Sequence, residues 1–113
     1  MKRGTIVLTP FPFTDLSGQK VRPAVVVSRS DRPGNDVLFA FVTTHRLPTP
    51  LNTDLIVEAA HADFSKTGFK ASSVVKLDKL VTIDSSIIFG ELGELSPTLM
   101  QQTNEKLRYA LAL

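Results

Sequence analysis

A chain of 113 residues can bury one sizeable hydrophobic core but not two, so a single domain over residues 1–113 is expected. With 42% hydrophobic and 21% charged residues the composition is that of a globular protein, and no apolar run approaches the length of a membrane span, which predicts a cytoplasmic protein without membrane contact. The lack of cysteine excludes disulfides and thiolate zinc sites, and two histidines make a poor metal cage, so neither a metal nor a cofactor is expected.

The net charge of +2 is distributed unevenly along the chain. Residues 1–46 carry seven basic and three acidic side chains, a net charge of +4, whereas residues 47–113 carry six basic and eight acidic ones, a net charge of −2. A polyanion is therefore expected to prefer the first part of the chain. The alternative interpretation is that these charges are ordinary solvated surface.

The first part of the chain predicts strands and turns, because short runs rich in Val, Ile and Phe alternate with Gly, Pro, Asp and Asn. Antiparallel strands are expected at about residues 4–9, 22–28 and 37–44. Residues 10–20 are expected to form a long loop between the first two, since their prolines cannot donate to a strand ladder. A second turn is indicated at residues 31–36.

The second part predicts a short strand at residues 53–58, an irregular stretch to residue 70 and a longer strand at residues 73–84 with mixed burial. Residues 87–95 are compatible with a further short strand and turn. Ser96 is a suitable N-cap and Pro97 suits the first position of an amphipathic helix. This order predicts a mainly β protein with a C-terminal helix, whose strongly bent antiparallel sheet is half-closed like an SH3 barrel.

Three segments carry the functional signal in this sequence. They are Gly4-Thr5-Ile6-Val7 followed by Pro-Phe-Pro-Phe-Thr-Asp at 10–15, the run Arg22-Pro23-Ala24-Val25-Val26-Val27-Ser28, and residues 73–84. Their order and spacing resemble those of MazF/PemK toxins over nearly the whole chain. The arginine–proline pair before an apolar strand ending in serine is the most specific element, and residues 77–80 come next. The resemblance implies an SH3-like barrel of the MazF/CcdB type.

In function, the resemblance implies the toxin of a type II toxin–antitoxin system. Such a toxin is a homodimeric endoribonuclease (mRNA interferase) that cleaves single-stranded RNA without a metal and leaves 2′,3′-cyclic phosphate and 5′-hydroxyl ends. Its protein partner is a cognate antitoxin that lays an extended acidic tail over the basic groove.

Arg22 matches the catalytic arginine of the family, and Thr43 takes the place of the threonine that holds the scissile phosphate. A guanidinium gives bidentate, charge-assisted hydrogen bonds to oxygens on which negative charge builds, and a hydroxyl positions the phosphate or the 2′-hydroxyl. The alternatives are a surface ion pair of Arg22 with Asp15 or Asp36, and Thr43 and Thr44 as plain β-branched strand residues, with the assignment shifted by one.

Further candidates surround these two residues. His45 and Thr44 are assigned a role in catalysis or in contacting RNA, because imidazole exchanges protons near neutral pH. Phe11 and Phe13 offer ring faces to unstacked bases, or else pin the first loop to the core. Sequence-independent contacts to phosphates are expected from four basic side chains, with solvated charge as the alternative. These are Lys20, Arg46, Lys76 and Lys79.

Other functions remain possible on the same fold. CcdB-like toxins poison DNA gyrase by protein contact and depend on a tryptophan near the C-terminus, but this chain contains no tryptophan. A non-catalytic SH3-like binding module would not need both Arg22 and Thr43. Metal-dependent nuclease chemistry requires convergent carboxylates, whereas the acidic residues here are scattered along the chain.

Overall fold

The computed structural model describes residues 1–10 and 21–113. This part of the chain contains six β-strands and one α-helix, together with short 3-10 helices at Phe64–Thr67 and Ser85–Ile87. The bounds are β1 Thr5–Pro10, β2 Val21–Val26, β3 Asp36–Thr43, β4 Asp54–Val57, β5 Ser73–Asp84, β6 Gly90–Glu94 and α1 Pro97–Leu111.

The strands form one curled sheet in the order β4-β5-β3-β2-β1-β6, with antiparallel pairing throughout the described residues. The predicted mainly β fold with a C-terminal helix is therefore confirmed. β5 has the predicted bounds, and α1 begins as predicted, with the Ser96 hydroxyl accepting a hydrogen bond from the Leu99 N–H at 3.3 Å. β2 ends two residues earlier than predicted, because the N–H groups of Val27 and Ser28 both donate to the Leu38 carbonyl.

Both faces of the central strands are buried. One face, which includes Ile6, Val25 and Val42, packs against α1 through Leu99 and is called here the helix face. The opposite face holds a second apolar cluster consisting of Val7, Ala24, Val26, Phe39, Phe41 and Ile83. This two-sided burial explains why β2 reads as a continuous apolar run and does not alternate.

A bulge in β5 bends the sheet. β3 and β5 pair at Phe41↔Lys76 and next at Ala40↔Leu80, so three residues of β5 have no counterpart on β3. Extra residues on one strand bend it and increase its twist. The first of the three, Leu77, is buried in the helix-face core and its N–H donates to the Thr53 carbonyl at 3.0 Å, whereas the other two are exposed.

The 3-10 helix Phe64–Thr67 packs against β6 with very close backbone contact. A Cβ atom added at Gly68, whose φ is +75°, would lie 2.4 Å from the Leu92 carbonyl oxygen, and one at Gly93 would lie 2.3 Å from the Lys66 carbonyl oxygen. Only glycine permits this approach at both positions. The contact covers the part of β6 at Leu92 and Gly93, at the edge of the sheet, where an exposed strand would invite pairing with another chain.

Candidate active site

Strand register places Arg22 and Thr43 opposite each other. β2 and β3 pair at Ala24↔Phe41, and continuing that register by two residues sets Arg22 across from Thr43. On its other side Arg22 pairs with the buried Thr9 of β1. Residues opposite each other on neighbouring strands have Cβ atoms about 5 Å apart on the same face of the sheet. Arg22 and Thr43 therefore share one row across the sheet.

This row opens into a cleft of about 380 Å³, called here the Arg22 cleft. Its lining residues are Arg22, Phe41, Val42, Thr43, His45, Leu47, Leu51, Lys76, Asp78 and Lys79. The structure thus brings together five of the side chains predicted from the sequence. Thr44 lies instead in an adjoining cleft of about 350 Å³, which shares Arg22 and Thr43 with the first.

The Thr43 hydroxyl is oriented by the backbone two residues later. The N–H of His45 donates to the Thr43 Oγ1 at 3.1 Å. A hydroxyl has two acceptor lone pairs and one proton to donate, so accepting this bond leaves the proton available for another oxygen. The turn after β3 therefore aligns Thr43 and at the same time carries His45 into the Arg22 cleft.

Lys76 lies in the cleft but is buried, with 9% of its surface exposed. Its Nζ is 2.6 Å from the Asp54 Oδ1, and the Asp54 Oδ2 accepts a hydrogen bond from the Leu51 N–H at 3.0 Å. The ammonium was predicted to contact phosphate, but part of its hydrogen-bonding capacity is directed at a buried carboxylate. The pair ties β5, β4 and the loop that carries Leu51 together beneath the cleft.

Arg46 is not among the residues that line the cleft. Its guanidinium forms an ion pair with Glu58 at the protein surface. The hydrogen bond from Arg46 is the main cause that lowers the pKa of the Glu58 carboxyl, followed by the opposing effect of desolvation. The Arg46 guanidinium is therefore directed to Glu58 and does not line the cleft, whereas Lys79 is exposed at the cleft.

Most of the basic side chains of residues 1–46 that the structure describes are engaged by neighbours away from the Arg22 cleft. The contacts are Lys2 with Glu94, Arg3 with Val27 and Asn104, Arg29 with Asp31, and Arg32 with the Asp36 carbonyl. The excess of positive charge in this part of the chain is thus spread over the surface. Positive charge at the cleft itself comes from Arg22, Lys79 and the paired Lys76.

The alternative ion pair of Arg22 with Asp36 is wrong. Asp36 begins β3 and Thr43 ends it, so the Asp36 position is seven residues from the row of Arg22, a strand length of roughly 24 Å. The other alternative partner, Asp15, lies outside the described residues, as do three predicted RNA contacts, Phe11, Phe13 and Lys20.

Sequence reasoning missed several lining residues, among them Leu47, Leu51 and Asp78. The two leucines are 40% and 45% exposed, and the segment Leu47-Pro48-Thr49-Pro50-Leu51 carried a signal for this, because prolines hold apolar side chains outside a strand ladder. Asp78 is a charged residue inside the predicted strand 73–84, and a charged residue within a strand can mark a bulge. Nothing in the sequence pointed to the partner of Lys76, since the register of β4 on β5 is a long-range property.

Within residues 1–10 and 21–113, no group of three or more histidine or acidic side chains is arranged to hold a metal ion. No helix in the same part of the chain has the length and apolar character required to span a membrane.

Solved structures of similar fold include an endoribonuclease in complex with its cognate antitoxin from a mycobacterial species, with a TM-score of 0.77 and 23% identity, covering 100% of this chain and 96% of that chain. The Mycobacterium tuberculosis toxin MazF-mt6 matches with a TM-score of 0.76 and 22% identity, covering 96% of this chain and 97% of that chain. A MazE–MazF complex from Deinococcus radiodurans matches with a TM-score of 0.73 and 22% identity, covering 100% and 97%. At these identities the likeness shows the fold.

No curated protein sequence matches the chain significantly. A family model described as PemK-like, MazF-like toxin of type II toxin-antitoxin system matches residues 2–111. The match covers all six strands, the helix and every residue that lines the Arg22 cleft. The chain therefore belongs to the PemK-like, MazF-like toxins of type II toxin–antitoxin systems.

Proposed function

We propose that this toxin is an endoribonuclease that cleaves single-stranded RNA, including mRNA, in the Arg22 cleft. The observation that carries the proposal is the position of Arg22 opposite Thr43 in one open cleft. Membership of the toxin family supports it, and so does the shared fold with mycobacterial endoribonucleases. The products are a 2′,3′-cyclic phosphate and a 5′-hydroxyl.

In this reaction the ribose 2′-oxygen bonds to the adjacent phosphorus while the bond from phosphorus to the 5′-oxygen breaks. Negative charge builds on the phosphoryl oxygens and on the leaving oxygen. Arg22 stabilises that charge through bidentate hydrogen bonds, since a guanidinium stays protonated at neutral pH. A preorganised donor of this kind is worth roughly 10² to 10³ in rate. Thr43 donates its free hydroxyl proton to a phosphoryl oxygen and so fixes the phosphate next to Arg22.

Two protons must also move, one from the 2′-hydroxyl and one to the 5′-oxygen. His45 lines the same cleft, and imidazole is the side chain that exchanges protons near neutral pH, so His45 is our candidate for taking or delivering one of them. The neighbouring Thr44 faces the adjoining cleft, where it would contact the RNA chain beyond the scissile bond. Arg22 acts in this scheme as charge stabiliser and not as the base.

We further infer a homodimer of single-domain subunits, acting in the cytoplasm and held inactive by an antitoxin with an extended acidic segment. Mycobacterial and Deinococcus structures that share the fold contain antitoxins, which supports the antitoxin partner. Lys79 and Arg46 are proposed as phosphate contacts. The RNA contacts of Phe11, Phe13 and Lys20 stay predictions.

The direct test is to incubate the pure protein with a long unstructured RNA in excess EDTA and to map the new ends. We expect cuts that leave cyclic phosphates, and Arg22→Ala should remain folded but lose cleavage. Arg29→Ala is the matched control, because Arg29 pairs with Asp31 outside the cleft. RNA that stays intact, or cleavage that requires a divalent metal, would contradict the proposal.

A further inference from the structure

Asp78 places a carboxylate in a cleft whose other lining residues are cationic, neutral polar or apolar. The side chain is exposed and forms no ion pair with any side chain in residues 1–10 and 21–113. A fixed negative charge beside a bound polyanion is unfavourable by Coulomb repulsion. A ligand that donates hydrogen bonds to the carboxylate offsets this repulsion.

The β5 bulge determines where this carboxylate lies. Lys76 pairs with Phe41, which is two residues along β3 from Thr43, a rise of roughly 7 Å. Asp78 lies beyond Lys76 on the bulge, on the side of the cleft away from the row of Arg22 and Thr43. A phosphate held by Arg22 and Thr43 would therefore leave the base of an adjoining nucleotide, and not the phosphate itself, within reach of Asp78.

The walls around Asp78 suit a planar ring. Phe41, Leu47 and Leu51 line the same cleft, and both leucines keep a large part of their surface exposed. The volume of about 380 Å³ is at the lower end of the range of about 300–1,000 Å³ typical of small-ligand sites. Unstacked bases of single-stranded RNA are commonly held by such contacts to the ring faces and are read along the Watson–Crick edge.

We infer that Asp78 reads the base of a nucleotide next to the scissile phosphate and selects guanine. A carboxylate offers two acceptors and no donor. Guanine is the base whose Watson–Crick edge presents two adjacent donors, the N1–H and the 2-amino group, whereas in each of the other three bases the position next to a donor on that edge is an acceptor that the carboxylate repels. Leu47 and Leu51 contact the ring. This inference rests on the proposed RNA cleavage and adds a base preference to it.

The preference can be measured by cleaving a randomised RNA pool and sequencing both the new 5′ ends and the new 3′ ends. For the wild-type protein we expect guanine to be enriched at one of the two positions that flank the cut. Asp78→Asn should lower that preference by about tenfold to a hundredfold, the range for one bidentate base contact. Adenine or cytosine should gain, because a carboxamide offers one acceptor and one donor, which matches their edges. Glu91→Gln, which neutralises an exposed carboxylate on β6 outside the cleft, should leave the preference unchanged.

A defined oligonucleotide gives an independent readout that does not depend on a variant. Replacing the selected guanosine by inosine removes the 2-amino donor and keeps the N1–H, so the wild-type protein should cleave it more slowly. Asp78→Asn should be much less sensitive to the same replacement. Equal melting temperatures of the two proteins would establish that the exposed substitution leaves the fold intact.

Absence of guanine enrichment at both flanking positions, or an unchanged preference in Asp78→Asn, would overturn the role of Asp78 while RNA cleavage itself stood. Equal cleavage of the inosine and guanosine substrates by the wild-type protein would overturn it as well. A wild-type protein that cuts no RNA would contradict the proposed function, and the base preference would fall with it.

Discussion

Lys76 and Lys79 lie three residues apart on β5 and line the same cleft, yet their surroundings differ. Lys76 is buried and held by Asp54, whereas Lys79 projects from the bulge and is exposed. The first belongs to the part of the cleft that is fixed by strand pairing, as do Arg22 and Thr43. The second belongs, with Asp78, to the part displayed by the bulge. The comparison teaches that burial, and not residue type, separates a cation that builds this cleft from one that is exposed to a ligand in it.

The largest difference between the two lysines is expected in stability. Lys76→Met should lower the free energy of unfolding by about 3–5 kcal/mol, because it leaves the buried Asp54 carboxylate without its cation. Lys79→Met should change it by no more than about 0.5 kcal/mol, as is usual for an exposed side chain. Urea unfolding of both variants measures the contrast. Combining Lys76→Met with Asp54→Asn should recover much of the lost stability. Equal losses in Lys76→Met and Lys79→Met would refute the distinction between the two lysines.

Within the part fixed by strand pairing, Arg22→Ala should reduce the rate of RNA cleavage by roughly 10² to 10³ with little change in KM, because the guanidinium acts mainly in the transition state. Single-turnover cleavage of a defined RNA gives the rate, and a circular dichroism melt controls for folding. A rise in KM without a change in the cleavage rate would mean that Arg22 binds RNA without stabilising the transition state.

In the part displayed by the bulge, Lys79→Ala should weaken RNA binding about equally for all sequences and reduce the slope of log affinity against log salt by about one. Binding titrations of an uncleavable RNA over a range of salt concentrations measure both effects. A change in base preference without a change in slope would contradict the role of Lys79 as a phosphate contact.

The smallest effect concerns Arg46 and Glu58. The pKa of Glu58 is lowered in the folded protein from its ordinary value of 4.5, so the ion pair stabilises the fold above that value, and the contribution is lost as the pH falls through the lowered pKa. Arg46→Met should therefore be slightly less stable than wild type at neutral pH and equal to it at strongly acidic pH. Urea midpoints at the two pH values test this, and a difference that grows on acidification would be the wrong sign.

The sequence predicted the elements better than their pairing. The capping residue Ser96 and the bounds of β5 could be read locally, because a helix N-cap and an apolar strand leave their signal in neighbouring residues. The family resemblance led to Arg22 and Thr43, and strand register places them together. The ion pair between Lys76 and Asp54 depends on residues from two strands whose register no local pattern fixes, so it could only be found in the fold.

The mixed burial predicted for residues 73–84 has its explanation in the same bulge. Before the bulge, the odd-numbered residues Val75 and Leu77 belong to the helix-face core. After the bulge, the even-numbered Leu80 packs against that core, so the residues that point to the helix face change from odd to even numbers. A strand without the bulge would keep one parity. The break in apolar alternation is visible in the sequence. Without the partner strand, however, the same break is equally compatible with a regular strand of mixed burial.

The bulge therefore reverses the alternation of inward and outward side chains between the two halves of β5. Deleting a single residue at position 78 or 79 would turn Val81 and Ile83 toward the wrong face and dismantle the core, because a slip of one residue reverses every side chain that follows. Substituting the same residues changes no buried contact. In this chain the number of residues in the bulge and the identity of Leu77 are set by folding, whereas the identity of residues 78 and 79 is not.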